Sequence, residues 1–229
     1  MKQALLGALG IVLVTWSAAG AAPPMPPSPG NWAGAFAGVE GGFGWANRTG
    51  CWNGGAPTVP DCSGLSSFHQ FNYNQSGWLG GVQVGYNWQF ESNLLFGVEG
   101  NFAIANITGT IPSGSSAGVG TWNALGMATG KLGWTNGPLL IYADAGVAAA
   151  NLDFVGNSGC NFSMGHTGPV AGAGVAWKVT QRVSLDLEYD HIWFDTQATP
   201  CTGSHTNDEV VTGSNMDLAK VSLDFHLGQ

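Results

Sequence analysis

The chain has 229 residues, of which 44% are hydrophobic, 37 are glycine and only 9% are charged, against roughly 25% charged in an ordinary soluble domain. Six Lys and Arg stand against fourteen Asp and Glu, a formal charge of −8 that sets nucleic acid aside as a partner. After the N-terminus no uninterrupted apolar run reaches the about 18 residues a membrane helix needs, which excludes a helical membrane protein and leaves crossing by alternating strands.

Residues 1–21 read as an export signal: Lys2 gives the positive start, Leu5 to Trp16 the apolar stretch, and Ala19-Gly20-Ala21 a small-residue cleavage site. Its removal leaves five basic residues against fourteen acidic ones, a mature charge of −9. Residues 22–31 form a Pro-rich leader that cannot join a sheet ladder, because proline has no N–H to donate. Residues 32–229 are then one barrel domain.

From Trp32 to Trp45 the chain alternates, with Ala33, Ala35, Ala37, Val39, Phe43 and Trp45 on one parity and Gly34, Gly38, Glu40 and Gly42 on the other. Period two is the signature of a strand with two different faces. Arg48 to Gln75 breaks the pattern with Gly, Pro, Asn and Ser and reads as a long loop. Gly77 to Ala105 is a hairpin turning at Phe90 to Asn93: Trp78, Val82, Val84, Tyr86 and Trp88 share a face, as do Leu94, Phe96, Val98, Phe102 and Ile104. Asn106 to Gly120 reads as the second long loop, and Thr121 to Trp134 as the fourth strand, presenting Trp122, Ala124, Ala128, Leu132 and Trp134. Thr135-Asn136-Gly137-Pro138 is a tight turn by its chemistry.

Leu139 to Ala150 follows as the fifth strand and Asn151 to Thr167 as the third long loop. Val170 to Val179 sets Ala171, Ala173, Val175 and Trp177 outward, and Thr180-Gln181-Arg182 turns the chain. In Val183 to Phe194 the residues Val183, Leu185, Leu187 and Tyr189 alternate with Ser184, Asp186, Glu188 and Asp190. Asp195 to Asn215 reads as the fourth long loop, and Leu218 to Leu227 closes the count at eight strands. Long and short connections alternate, as in outer-membrane barrels, whose long loops lie outside and short turns in the periplasm. Two aromatic girdles are predicted, Trp45, Trp78, Trp122 and Trp193 at the outer rim and Trp32, Trp88, Trp134 and Trp177 at the periplasmic rim. The fold expected is all-β, an eight-stranded antiparallel up-and-down transmembrane β-barrel whose interior is filled by side chains.

The segments WAGAFAGVEGGFGW, GGVQVGYNWQF, LLFGVEGNF, GKLGW, LLIYADAGVA, GAGVAW and VSLDLEYDHIWFD resemble the small outer-membrane β-barrel family of alphaproteobacteria, known as porin-family or outer-membrane immunogenic proteins. Its barrel is similar to the transmembrane domain of OmpA. The resemblance implies an integral protein of the bacterial outer membrane with outer-membrane lipid, the barrel-assembly machinery and host or envelope surface ligands as partners. The family often has an Arg-x-Arg pair where this chain has Thr129 and Lys131, Glu where it has Ala176, and Lys where it has Asp186. In place of a terminal aromatic, Phe225 and Leu227 precede Gly228-Gln229.

Glu40, Glu99, Lys131, Asp144, Asp186, Glu188, Lys220 and Asp224 are expected to point inward. Buried charges must be paired or solvated, so a salt-bridged plug is favoured over a narrow cation path. The acid excess over Lys131 and Lys220 leaves carboxylates for water or protons to neutralise. Cys51, Cys62, Cys160 and Cys201 all fall in expected outer loops of an exported chain, with Cys51–Cys62 and Cys160–Cys201 the expected disulfides among three possible pairings. Their spacing offers no paired Cys-x-x-Cys clip. His69, His166 and His205 are expected as solvated loop residues, and no metal or cofactor is expected, with haemin binding or a small-solute porin as alternatives that the resemblance raises. No enzyme is expected: His191 is followed by Ile192 and Trp193 rather than by a serine, and Asp195, Ser204 and His205 make a triad only on paper.

Overall fold

Alternation in the sequence becomes sheet in a computed structural model that describes residues 30–52, 70–91, 93–111, 118–156, 159, 161–200 and 209–227. Eight strands follow in order: β1 (Gly34–Trp52), β2 (Gln70–Gln89), β3 (Leu94–Ile111), β4 (Gly118–Asn136), β5 (Leu139–Gly156), β6 (Asn161–Lys178), β7 (Val183–Pro200) and β8 (Glu209–His226). Each pairs antiparallel with the next, and β1 pairs with β8 from Phe36↔His226 to Trp52↔Val210, so the sheet closes on itself. Closure leaves no edge strand among the described residues. Among the described residues no helix is long and apolar enough to cross a membrane.

The two parities separate as the sequence predicts. Val39, Val82, Val84, Ile104, Leu132, Val147, Leu187 and Val221 point outward and are exposed, and inward neighbours such as Gln83, Ala103 and Lys131 are buried. Outward Trp45, Trp78 and Trp193 mark an upper rim, and Trp88, Trp134 and Trp177 a lower one. The ten steps from Trp78 to Trp88 span about 34 Å of strand, or roughly 25 Å after the tilt of about 40° usual in barrels, the height of a hydrocarbon belt.

Two tryptophans leave the girdles where the sequence put them. Trp122 is 1% exposed and points into the barrel. The β4–β5 register shifts between Trp122 and Ala124, and the extra residue reverses the parity of everything above it. Trp32, also 1% exposed, precedes β1 and folds under the lower end, where its indole donates to the Gly137 carbonyl at 3.2 Å.

Where the four segments read as long loops are described, they are strand except at Gly159. The β1–β2 ladder runs on to Cys51↔Gln70, and β5 and β6 pair up to Val155↔Asn161. Above the apolar belt both faces tolerate Asn, Ser, Thr and Gly, so the hydrophobic alternation fades while the backbone ladder continues. Cys51 is fully buried, and no cysteine is free among the described residues. Cys62, Cys160, Cys201, His69, Ser204, His205 and residues 1–21, read as an export signal, lie outside the described residues, so the two expected pairings are not placed. The short turns agree with expectation, with Asn93 at φ 62° and Gly137 at φ 58° supplying the left-handed residues that tight turns require.

Candidate functional site

The interior is built in three layers. The upper one is apolar: Leu79, Ala103, Ile107, Trp122, Leu152, Ile192, Met216 and Leu218 belong to one buried cluster. Trp122 stacks on Phe194 at 4.9 Å, and the Arg48 guanidinium lies 5.7 Å from the Trp122 ring centre. The Trp122 indole donates to Gln75 Oε1 at 3.0 Å, and Gln75 Nε2 donates to the Gly120 carbonyl at 2.9 Å. The lower layer gathers Trp32, Leu95, Leu140, Tyr142 and Ala176, with the His226 ring edge-on to Trp32 at 5.6 Å.

Between them lies a charged layer, and each of the eight expected charges faces it. Lys131 Nζ meets Glu99 Oε2 at 2.9 Å and Glu188 Oε2 at 4.0 Å. Lys220 Nζ meets Glu188 Oε1 at 2.6 Å, Asp190 Oδ2 at 2.9 Å and Glu40 Oε2 at 3.8 Å. The Tyr142 hydroxyl lies 2.9 Å from both oxygens of Asp186 and contacts Glu188 Oε2, so its single proton serves one acceptor at a time. Gln83 Nε2 donates to Asp224 Oδ1 at 2.7 Å and to Ser222 Oγ at 3.1 Å. Asp144 is buried, yet neither of its oxygens has a hydrogen-bond partner among the described residues. Asp190 belongs to this layer although the eight expected charges omitted it; its parity, shared with Asp186 and Glu188, already marked it as inward. Arg48 and His166 were missed because both stand on strand that the sequence presented as loop.

His166 is fully buried on β6, not solvated. Its Nδ1 faces the Asp195 carbonyl at 3.1 Å and Asp195 Oδ1 at 3.3 Å, and the Thr167 amide donates to Asp195 Oδ1 at 2.9 Å. These contacts join β6 to β7 above the belt, where the regular ladder has ended at Val170↔Ile192. Burial, with the Arg48 guanidinium nearby, holds the His166 ring below its ordinary range. At Asp195 burial pushes the carboxyl up, but hydrogen bonds from Gln197 and Thr167 and the His166 ring outweigh it and hold it below the ordinary carboxylate range. Asp195 thus serves a strand junction here.

On the outer surface near the upper rim, His191 Nδ1 lies 2.6 Å from Asp217 Oδ1, and the Tyr189 hydroxyl donates to the same oxygen at 2.5 Å. His191 also packs edge-on against Trp193 at 4.4 Å. Tyr189 and His191 therefore share one carboxylate oxygen, with Trp193 completing the patch.

Residues 11–223 match the family model described as the outer membrane protein beta-barrel domain. The 31 kDa outer-membrane immunogenic protein of Brucella melitensis is 31% identical over 125 residues, which cover 49% of this chain and 52% of that protein. The 22 kDa outer membrane protein of Rhizobium leguminosarum is 32% identical over 113 residues, covering 49% and 51%. The chain spans about half the length of the curated relatives it matches. Among solved structures, the outer membrane protein OprG from Pseudomonas aeruginosa aligns with a TM-score of 0.49 at 14% identity over 87% of this chain and 99% of its own. Neisserial surface protein A aligns with a TM-score of 0.46 at 15% identity over 85% and 99%.

Proposed function

From membership of the outer membrane protein beta-barrel domain family, to which the chain belongs, we propose that this outer-membrane protein is a surface-exposed structural component that neither conducts solutes steadily nor catalyses a reaction. The observation that carries the closed reading is the small space left where the charged layer meets the lower one. The cavity bordered by Trp32, Asn87, Lys131, Asp186 and His226 measures about 10 Å³, at most the volume one water occupies. Trp122 with Phe194 above and Trp32 below stand as apolar barriers on either side of the charges. A continuous aqueous path would have to pass both rings, against which the polar neighbours Arg48 and Gln75 above and His226 below are packed.

The outward role rests on the loops, and charge narrows what they recognise. Of the six basic residues, Arg48, Lys131, Lys178 and Lys220 are buried, Arg182 sits in a periplasmic turn and Lys2 in the export signal. No lysine or arginine is therefore left for the extracellular loops. Partners on a host, envelope or neighbouring cell are then ones read by hydrogen bonds from Asn, Ser and Thr and by aromatic contact, such as neutral glycans or proteins. Outward Phe225 and Leu227 at the end of β8 are the residues we assign to contact with the assembly machinery. A noncatalytic role is supported at the upper rim, where His191 and Tyr189 hold the same Asp217 oxygen and Trp193 stands two residues after His191.

Planar-bilayer recording of the purified protein tests the closed reading. No steady conductance is expected from the wild type, and a measurable one from the double variant Trp32→Ala/Trp122→Ala, which removes both barriers. Steady, large conductance from the wild type would overturn it.

A further inference from the structure

The charged layer holds seven carboxylates, Glu40, Glu99, Asp144, Asp186, Glu188, Asp190 and Asp224, against Lys131 and Lys220. Six of the seven have a cationic or hydrogen-bonding neighbour within the layer. Asp144, which faces Lys131 across the β4–β5 ladder, makes neither an ion pair nor a hydrogen bond: it is more than nine-tenths buried, and both oxygens lack a partner among the described residues. It does not point at random. Oxygens of Asp144, Glu188 and Asp190 lie within 4.8 Å of one another, close enough for one ion to touch all three. Below them Gly172 of β6 leaves the room, since a Cβ there would come within 2.3 Å of Asp190 Oδ1 and 2.7 Å of Asp144 Oδ1.

We propose that Asp144, Glu188 and Asp190 form a binding site for one hard divalent cation of the calcium type inside the barrel. Oxygen-only ligands from carboxylates suit such an ion, and hard cations take the further oxygens they need from water. Lys220 already answers one face of Glu188 and Asp190 through Glu188 Oε1 and Asp190 Oδ2, which leaves Asp190 Oδ1 and both Asp144 oxygens unpartnered, and the ion shares a Glu188 oxygen with that residue's present neighbours. Asp144 stands on β5, Glu188 and Asp190 on β7, so the cation ties together two strands that β6 keeps apart. This site is independent of the closed-barrel reading and goes beyond it.

Terbium, which takes calcium positions and emits when a nearby excited tyrosine or tryptophan passes energy to it, is the probe, with Tyr142 in contact with Glu188 as the donor. The full barrel refolded in detergent with Tb³⁺ is expected to give sensitised emission that saturates at one buried ion per chain and is displaced by Ca²⁺. Asp144→Asn and Asp190→Asn should each weaken the apparent affinity about tenfold or more, because ligand charge sets affinity in such sites. Gly172→Ala keeps every carboxylate but fills the space, and should lose the signal while still showing heat-modifiable migration on gels. Asp153→Asn, on the outside of the barrel, should change nothing. Equal emission from wild type, Asp144→Asn and Gly172→Ala would overturn the site. So would an infrared band of a protonated carboxylic acid in the Ca²⁺-loaded wild type that vanishes in Asp144→Asn, which would mean that a proton holds the place assigned to the ion.

Discussion

Lys220 lies within ion-pair distance of three carboxylates, those of Glu40, Glu188 and Asp190, and its side chain is 3% exposed. Taking a charged pair out of water costs much of what the attraction returns, so the pairing is a poor source of stability in itself. Removing one member is different, because its partners stay behind in a place that cannot hydrate them. Lys220→Met is therefore expected to destabilise the folded barrel by about 3–5 kcal/mol, read from urea unfolding in lipid vesicles. Adding Glu188→Gln to that variant should return part of the loss, since one of the stranded charges goes with it.

At the level of strands, the junction of β6 and β7 differs from the other seven. Its regular pairing covers Val170 to Lys178 only, and the β7–β8 register shifts between Phe194 and Gln197. Pro169, next to the last regular pair, has no N–H for a ladder. Above it the Asp195 side chain takes over, accepting from the Thr167 amide and bonding the His166 ring. Both groups titrate lower here than when unfolded, so the unfolded chain binds more protons as the pH falls. The His166 contribution is complete above its unfolded value of about 6.5 and drains away below it, and that of Asp195 goes at lower pH still. Amide exchange at Thr167 is expected to quicken as the pH drops from 7 to 5 once corrected for the intrinsic rate, and His166→Asn, which keeps a donor but does not titrate, should flatten that dependence.

The strands inside the belt could be read from the chain because hydrocarbon on one side and a packed interior on the other impose a strict period of two. Beyond the rims water wets the outer face, the constraint lapses, and Arg48 and His166 went unrecognised as interior residues. A single extra residue at Asn123 was enough to turn Trp122 inward. The inward charges on each strand were legible for the same reason as the belt. That Asp144 would meet Asp190 was not, because the two are separated by a whole strand and meet only where Gly172 has no side chain.

For the molecule as a whole, the exterior is a solvent-facing core: Val39, Val82, Val84, Leu132, Val147 and Leu187 are more than half exposed to whatever surrounds the barrel. Val84 lies six residues from Trp78 and four from Trp88, near the centre of the belt. Val84→Arg should cost about 2–4 kcal/mol of folding free energy in bilayers, while Val119→Arg, outward but above the rim, should cost about 0–1 kcal/mol. Equal costs at the two positions would mean that depth, and so the membrane, does not set the environment of this face.

The β1–β2 ladder continues from Trp45 to Cys51 and from Trp78 to Gln70, six and eight further steps and so a rise of about 15–20 Å after tilt. Above the belt the barrel thus continues as a wall of paired strands that stands clear of the lipid headgroups. An antibody approaching the cell meets the upper end of that wall before it meets the membrane.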